Sequence, residues 1–537
     1  MFASTMRRRT LTLLFPALAL LPVTAAQAQS GYYRHSFFDN SIERDYYFYS
    51  FAQATAPSTV EGKNWRLPVD SVHFLSPPNA LRIHWQSMPG GGWDAEVHLD
   101  NFRNRSPGLT GRTLYFWIYS PTAIRRTDLP DLMLSNAREG LQVATFPGSF
   151  TSPEPLGRFI GDLPANKWVE VRVNMAALHS ASIYQFIPEQ LQSVIFLQGR
   201  ADGAEHTLLV DQVHVGDESA AKSLAPSPVH VTTKGYERHV LVTWDAGPVE
   251  PSAHYIVYRS ENGGAYRPVG IQVPGVRKFV DWLGRTGTTA SYRVAAADWS
   301  NHTSAPSSPA TASTRAMSDD ELLTMLQEAA FHYYWEGADS SSGMAHENMP
   351  GDDRIVATGA SGFMIMALLT GVDRGFITRV QGLERVTRIV SFLERADRYH
   401  GAWSHYMNGA TGHTMPVFGM LDDGGDLVET AFLMQGLLTA RQYFRGTSPA
   451  ERSLHERITR LWESVEWDWY RDATQQTDFI YWHWSPKWGF QIHHPLIGFN
   501  EVHVVYLLAI ASPTHGVPAS TYYSGWASQA PMAQSYR

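Results

Sequence analysis

The chain contains no cysteine. Thiolate catalysis, disulfide staples and cysteine-ligated metal sites are therefore excluded. Positive charge is not in excess either. The 43 Lys and Arg face 51 Asp and Glu, for a formal net charge of −8 and a pI near 6.3. That balance gives no electrostatic case for nucleic acid or an anionic membrane as partner. Beyond the N-terminal stretch, no run is long and apolar enough to span a bilayer.

What the N terminus does carry is Arg7–Arg8–Arg9, then LTLLFPALALLPV, then the small-residue end Ala26–Gln27–Ala28. This is the pattern of a secretory signal over residues 1–28, cleaved after Ala28. The arginines with Thr10–Leu11 are compatible with a twin-arginine route. An exported protein without disulfides fits the bacterial periplasm or a secreted location. At 537 residues the chain is long enough for several domains. Aromatics make up 12%, which suits sugar stacking and large cores equally.

Residues 30–217 read as β. Leu114–Tyr119 (LYFWIY), Trp168–Val173 (WVEVRV), Val194–Leu197 and Thr207–Val215 (TLLVDQVHV) are β-branched and aromatic runs separated by turn-rich stretches. Short strands at such spacing predict a β-sandwich. The region resembles the jelly-roll, carbohydrate-binding modules found beside glycosidases; a spacer that binds nothing is the competing reading. Gly216–Pro228 has linker composition. Residues 225–304 resemble a fibronectin type III β-sandwich, on Val242–Thr243–Trp244, Tyr255, Tyr258 and Tyr292. Residues 305–316 (APSSPATASTRA) are a second linker by composition.

From Met317 the pattern becomes helical, over residues 317–537. Ser318 and Glu321 form a capping box that opens the first helix, to about Trp335. Further helices are predicted over 357–370, 378–399, 426–444, 449–470 and 500–512. The first, third and fifth carry charge; the second, fourth and sixth are apolar nearly all round. A helix apolar on every face is buried on every face. Strict alternation of the two kinds predicts two concentric layers, an all-α (α/α)6 toroid whose inner helices run parallel around one cavity mouth. Six helices make only half of such a toroid. At ~30 residues per helix and loop, closing it needs roughly 180 more residues, so the sequence reads as the N-terminal half of a truncated domain.

The acids gather at the starts of two inner helices. Asp422–Phe432 reads DDGGDLVETAF. Asp426 as N-cap with Glu429 three residues on is a capping box, and this alone accounts for both. Asp422 and Asp423 are then surplus to the cap. In the sixth helix Asn500 suffices as N-cap, leaving Glu501 at the first helical position, where capping does not require it. Two flanking loops carry sugar-type chemistry. His400–Gly419 offers Trp403, His405, Tyr406 and Asn408; Phe479–His493 offers Trp482, Trp484, Lys487 and Trp488.

Together these stretches resemble the glycoamylase-like catalytic domain, and most closely the endo-β-1,2-glucanases of glycoside hydrolase family 144. The resemblance rests on DDGGDLVETAFLMQGLL from Asp422, YWHWSPKWGF, and GFNEVHVVYLLAIASPTHGVP from Gly498. It implies an α/α toroid, an inverting mechanism and functional acids at Asp422, Asp426, Glu429 and Glu501. Asp426 and Glu429 lie on one helix face, ~5–6 Å apart at Cβ, and cannot easily flank a sugar ring. Glu501, on another helix, is the expected general acid, provided that burial against Trp482 or Trp484 raises its pKa. Asp426, Glu429 or a residue beyond the chain would be the base. Asp422, His405, Asn408, Trp482, Trp484 and Lys487 would bind substrate. No cofactor is called for, and DDGGD lacks the ligand spacing of a calcium loop. An exo-acting, glucoamylase-like enzyme and a non-catalytic glycan-binding protein are the alternatives.

Overall fold

The computed structural model describes residues 32–99, 107–137, 149–181, 184–217, 225–245, 247, 249–349, 351–472 and 477–528. The stretch read as a secretory signal and most of the stretch read as the first linker lie outside these. The chain is multidomain, with an extensive β region followed by a helical one.

Strands from Ser36 to Gly216 form a seven-stranded and a five-stranded sheet, every pairing antiparallel. The run TLYFWIY shows why. In the strand Thr113–Tyr119, Leu114, Phe116 and Ile118 are fully buried while the alternate Tyr115 and Trp117 are only partly so. Phe116 meets Phe196 of the other sheet edge to face, with ring centroids 5.7 Å apart.

A three-stranded and a four-stranded sheet follow. Trp244, Tyr255 and Tyr292 share their core. The phenol of Tyr292 donates to Asp281 at 2.7 Å. The stretch read as the second linker is not one throughout. Ala310–Ser313 pairs antiparallel with Thr289–Tyr292 and forms the edge of the four-stranded sheet. Its Pro/Ser/Thr composition misled, because an edge strand tolerates such residues. Here the hydroxyls pair across the strands, Thr289 with Ser313 at 2.7 Å.

Six helices of nine residues or more are present among the described residues: α1 (Asp319–Trp335), α2 (Thr358–Asp373), α3 (Arg379–Leu393), α4 (Leu427–Tyr443), α5 (Pro449–Glu463) and α6 (His503–Ala511). The capping box of α1 is formed: Ser318 Oγ accepts from Glu321 N, and Glu321 accepts from Ser318 N. Helices α3 and α5 end earlier than their charge pattern suggests, at Leu393 and Glu463. Helix α6 begins at His503 rather than Asn500, because Asn500 Oδ1 accepts from Val502 N in a turn ahead of it.

Helices α2 and α4 lie side by side and parallel, with their N-termini together. Glycine makes the approach close. A Cβ on Gly362 would sit 2.2 Å from Phe432 O, and one on Gly436 2.3 Å from Gly362 O. Burial on every face does not hold throughout. Phe363 on α2 and Leu507 on α6 remain about half exposed, at 48% and 49%. No helix among the described residues is long and apolar enough to cross a membrane.

Candidate active site

The stretch DDGGD is positioned by a two-residue ladder. Gly425–Asp426 pairs antiparallel with His483–Trp484, which lays the Trp-rich loop across the start of α4. The glycine pair is required for that approach. A Cβ on Gly424 would meet Trp484 O at 2.1 Å, and one on Gly425 the Tyr470 hydroxyl at 2.2 Å.

Asp426 is fully buried and caps α4, its Oδ1 accepting from Glu429 N at 2.9 Å. Its second oxygen accepts two more hydrogen bonds: from His405 Nδ1 at 2.8 Å and from Trp482 Nε1 at 2.7 Å. A carboxylate anion, acceptor only, satisfies all three donors. The capping box predicted from sequence is only half made. The Asp426 N–H goes to Trp403 O at 2.8 Å, and Glu429 turns away from it.

Glu429 instead accepts from the backbone N–H of Gly359, at the N-terminus of α2, at 2.8 Å. Its other oxygen lies 3.9 Å from His405 Nε2. Burial, with the Asp426 charge beside it, pushes its carboxyl up to about 7. Asp422 is 3% exposed, and burial raises its carboxyl to about 6. Its Oδ2 accepts from Phe418 N at 3.3 Å. Its Oδ1 has no hydrogen-bond partner among the described residues and faces His483 Nε2 at 3.9 Å. His483 is itself buried, with neither ring nitrogen paired.

His405 thus stands between two carboxylates. Burial lowers its pKa, but the Asp426 hydrogen bond and the negative charges of Asp426, Glu429 and Asp422 outweigh that, and the net shift is upward. Phe418 and Tyr406 wall the imidazole, at centroid distances of 4.9 and 4.3 Å. Asp423 points elsewhere. Burial raises it, yet Ser485 and the Lys487 ammonium, 3.0 Å away, hold it below its ordinary value.

The site therefore gathers Asp422, Asp426, Glu429, His405 and Trp482. Other candidates fall outside it. Trp484 packs edge-on against His400 and Trp469. Lys487 is largely exposed on Asp423. Asn408 uses its side-chain oxygen to hold its own turn, accepting from Ala410 N and Thr411 N. Trp403 is a fully buried core residue. Glu501 is exposed in the turn ahead of α6, with no hydrogen bond or ion pair among the described residues. The expected burial against Trp482 or Trp484 is absent: Trp482 aims its indole N–H at Asp426, and Trp484 belongs to the His400 cluster. Sequence reasoning passed over Gly359 and His483. The first glycine of ATGASG was the available signal for Gly359. Among the described residues no group of His, Asp and Glu is arranged to hold a metal ion.

Comparison with known proteins shows relatives that act on β-1,2-glucans. The Glycoamylase family model ("Putative glucoamylase") matches residues 493–537. An exo β-1,2-glucooligosaccharide sophorohydrolase of Parabacteroides distasonis is 39% identical over 519 residues, 96% of this chain and 71% of that protein. The crystal structure of a β-1,2-glucanase from Parabacteroides distasonis superposes with a TM-score of 0.78, at 39% identity, over 94% of this chain and 70% of that one. An endo-β-1,2-glucanase from Chitinophaga pinensis, in complex with sophorotriose and glucose, is 50% identical over 40% of this chain and 51% of its own, with a TM-score of 0.38. Identity of this extent across nearly the whole chain, together with buried carboxylates at a helix N-terminus, makes the protein a glycoside hydrolase, and it belongs to the glycoamylase-like, family-144-type group of these relatives.

Proposed function

We propose that this chain hydrolyses β-1,2-linked glucooligosaccharides from the non-reducing end, with Glu429 as the proton donor. The observation that carries the reading is the His405-bridged pair, in which Asp426 accepts three hydrogen bonds while Glu429 is raised to about 7. Near neutrality such a carboxyl is still partly protonated and can assist departure of the glycosidic oxygen. His405, in contact with both acids, can exchange that proton. Asp422, with one buried oxygen unpaired, is suited to hold a sugar hydroxyl. Trp482 fixes Asp426 and presents its partly buried ring beside it.

Exo action is favoured over the endo cleavage that the sequence puts first, because the relative matching 96% of the chain is an exo-acting sophorohydrolase. Inversion is the stereochemical course that the family resemblance implies. Reassigning the acid from Glu501 to Glu429 follows from the exposure of Glu501, which leaves its carboxyl without the burial an acid role requires. For the β region, the reading is a glycan-binding or spacing sandwich followed by a fibronectin type III-like spacer, in a protein exported to the periplasm or beyond.

The test is a time course on defined β-1,2-glucooligosaccharides. Exo action releases sophorose from the first minutes, with the substrate shortening by two units at a time. An early spread of intermediate lengths would refute it, and absence of new reducing ends would refute hydrolysis of this linkage altogether.

A further inference from the structure

A cavity lies far along the chain from the carboxylates, where the first β region meets the helical one. It encloses about 320 Å³, at the lower end of the volumes that small-molecule sites occupy. Its wall is mixed in the manner of a sugar site. Phe48 supplies an aromatic face; Asp39, Asn40 and Glu43 supply hydroxyl-binding groups; Gly351 closes it from the helical side. Tyr and Phe side chains make up much of the remainder, and neither Lys nor Arg is among its described lining. Asp39 and Glu43 in the wall disfavour an anionic ligand there.

Two observations point to an occupant. The first is His98, which lines the cavity, is 1% exposed, and leaves both ring nitrogens without a hydrogen bond. Its Nδ1 lies 3.4 Å from Glu96 Oε1 without hydrogen-bond geometry. A buried, unpaired imidazole is costly unless something fills its hydrogen-bonding capacity. The second is Phe48. It remains 52% exposed although the Arg66 guanidinium sits 4.9 Å from its centroid and Tyr49 meets it edge-on at 5.2 Å. The ring is held in place yet open, as a stacking platform is.

Gly351 also ties the cavity to the catalytic site. Eight residues on, Gly359 donates its N–H to Glu429. Fully extended, that segment spans at most about 28 Å. The Arg34–Asp353 ion pair clamps it against the sandwich.

We propose that this cavity is a distal glucan-binding site, which takes a neutral glucosyl unit of the same polymer whose cleavage the carboxylates perform. The linkage assigned to the ligand rests on the function proposed above; the site itself does not. It would retain a long substrate while its end is processed.

The experiment is affinity electrophoresis of the full chain through gels containing soluble β-1,2-glucan, laminarin or mixed-linked β-glucan, for wild type, Phe48→Ala and Phe48→Tyr. Both substitutions are at a half-exposed residue and leave the core intact. Retardation by β-1,2-glucan should weaken by about fivefold to tenfold in Phe48→Ala, the scale of one lost aromatic contact, and return to within about twofold in Phe48→Tyr. Equal mobility of wild type and Phe48→Ala in all three gels overturns the site. Phe48-dependent retardation confined to another glucan upholds the site and overturns its linkage. Hydrolysis by the wild type, followed separately, tests the catalytic reading, so either can fail without the other.

Discussion

The Nδ1 of His405 lies 2.8 Å from Oδ2 of Asp426, while its Nε2 faces Glu429 at 3.9 Å. One imidazole thereby couples two carboxylates that the sequence places three apart on a single helix. Burial and the neighbouring Asp426 charge leave Glu429 as the member that holds a proton towards neutral pH.

That assignment predicts an alkaline limb. The protonated form of Glu429 is the active one, so kcat should fall as pH rises through about 7. Glu429→Gln should lose about 10²–10⁴ in kcat and with it the limb, while its amide oxygen still accepts from Gly359 N. Glu501→Gln, at an exposed position, is the control that decides between the two acids. A loss larger than that of Glu429→Gln, with the alkaline limb retained, would return the acid role to Glu501. Initial-rate pH profiles of the three proteins settle the matter.

Asp422 makes a prediction about stability. Its folded carboxyl is raised from 3.8 to about 6, so folding favours the protonated form. The associated stability is fully present below the unfolded value and is lost as pH rises through the folded one. Thermal melts between pH 4 and pH 6 should therefore show falling stability from this group. Asp422→Asn should flatten that part of the curve and raise stability at pH 7 by on the order of 2 kcal/mol. An unchanged curve would remove the burial argument.

Trp482 donates to a buried carboxylate, and hydrogen bonds to charged groups contribute about 1.5–3 kcal/mol. Trp482→Phe keeps most of the ring and removes the N–H. Urea unfolding should report a loss in that range. The kcat should fall as well, because Asp426 loses one of the donors that fix it against His405.

Gly359 has no side chain because Glu429 occupies the space. A Cβ there would lie 2.3 Å from Glu429 Oε2. Gly359→Ala should cost about 1–3 kcal/mol through overpacking and shift the alkaline limb, since Glu429 must move off its backbone donor. A variant with wild-type stability and an unshifted limb would show that Glu429 is not anchored here.

Much of the fold was legible because its causes are local. Alternation in TLYFWIY specifies a half-buried strand, and charge patterning separated α1, α3 and α5 from α2, α4 and α6. The errors arose where a partner distant in sequence decides. Ala310–Ser313 has the composition of a linker, but an available strand edge turned it into sheet. Glu501 was placed one turn too deep because Asn500 spends its side chain on Val502 rather than on capping α6.

The sequence by itself determined that Asp426 caps a helix and that this motif belongs to a glycosidase, since capping is an i to i+3 relation and the wording is contiguous. Only tertiary structure decided where the Glu429 carboxyl sits. Its expected partner was its own N-cap; its actual donor is Gly359, 70 residues away. Its raised pKa comes first from burial between two helices, and burial is a property of the assembled core that a linear pattern cannot express.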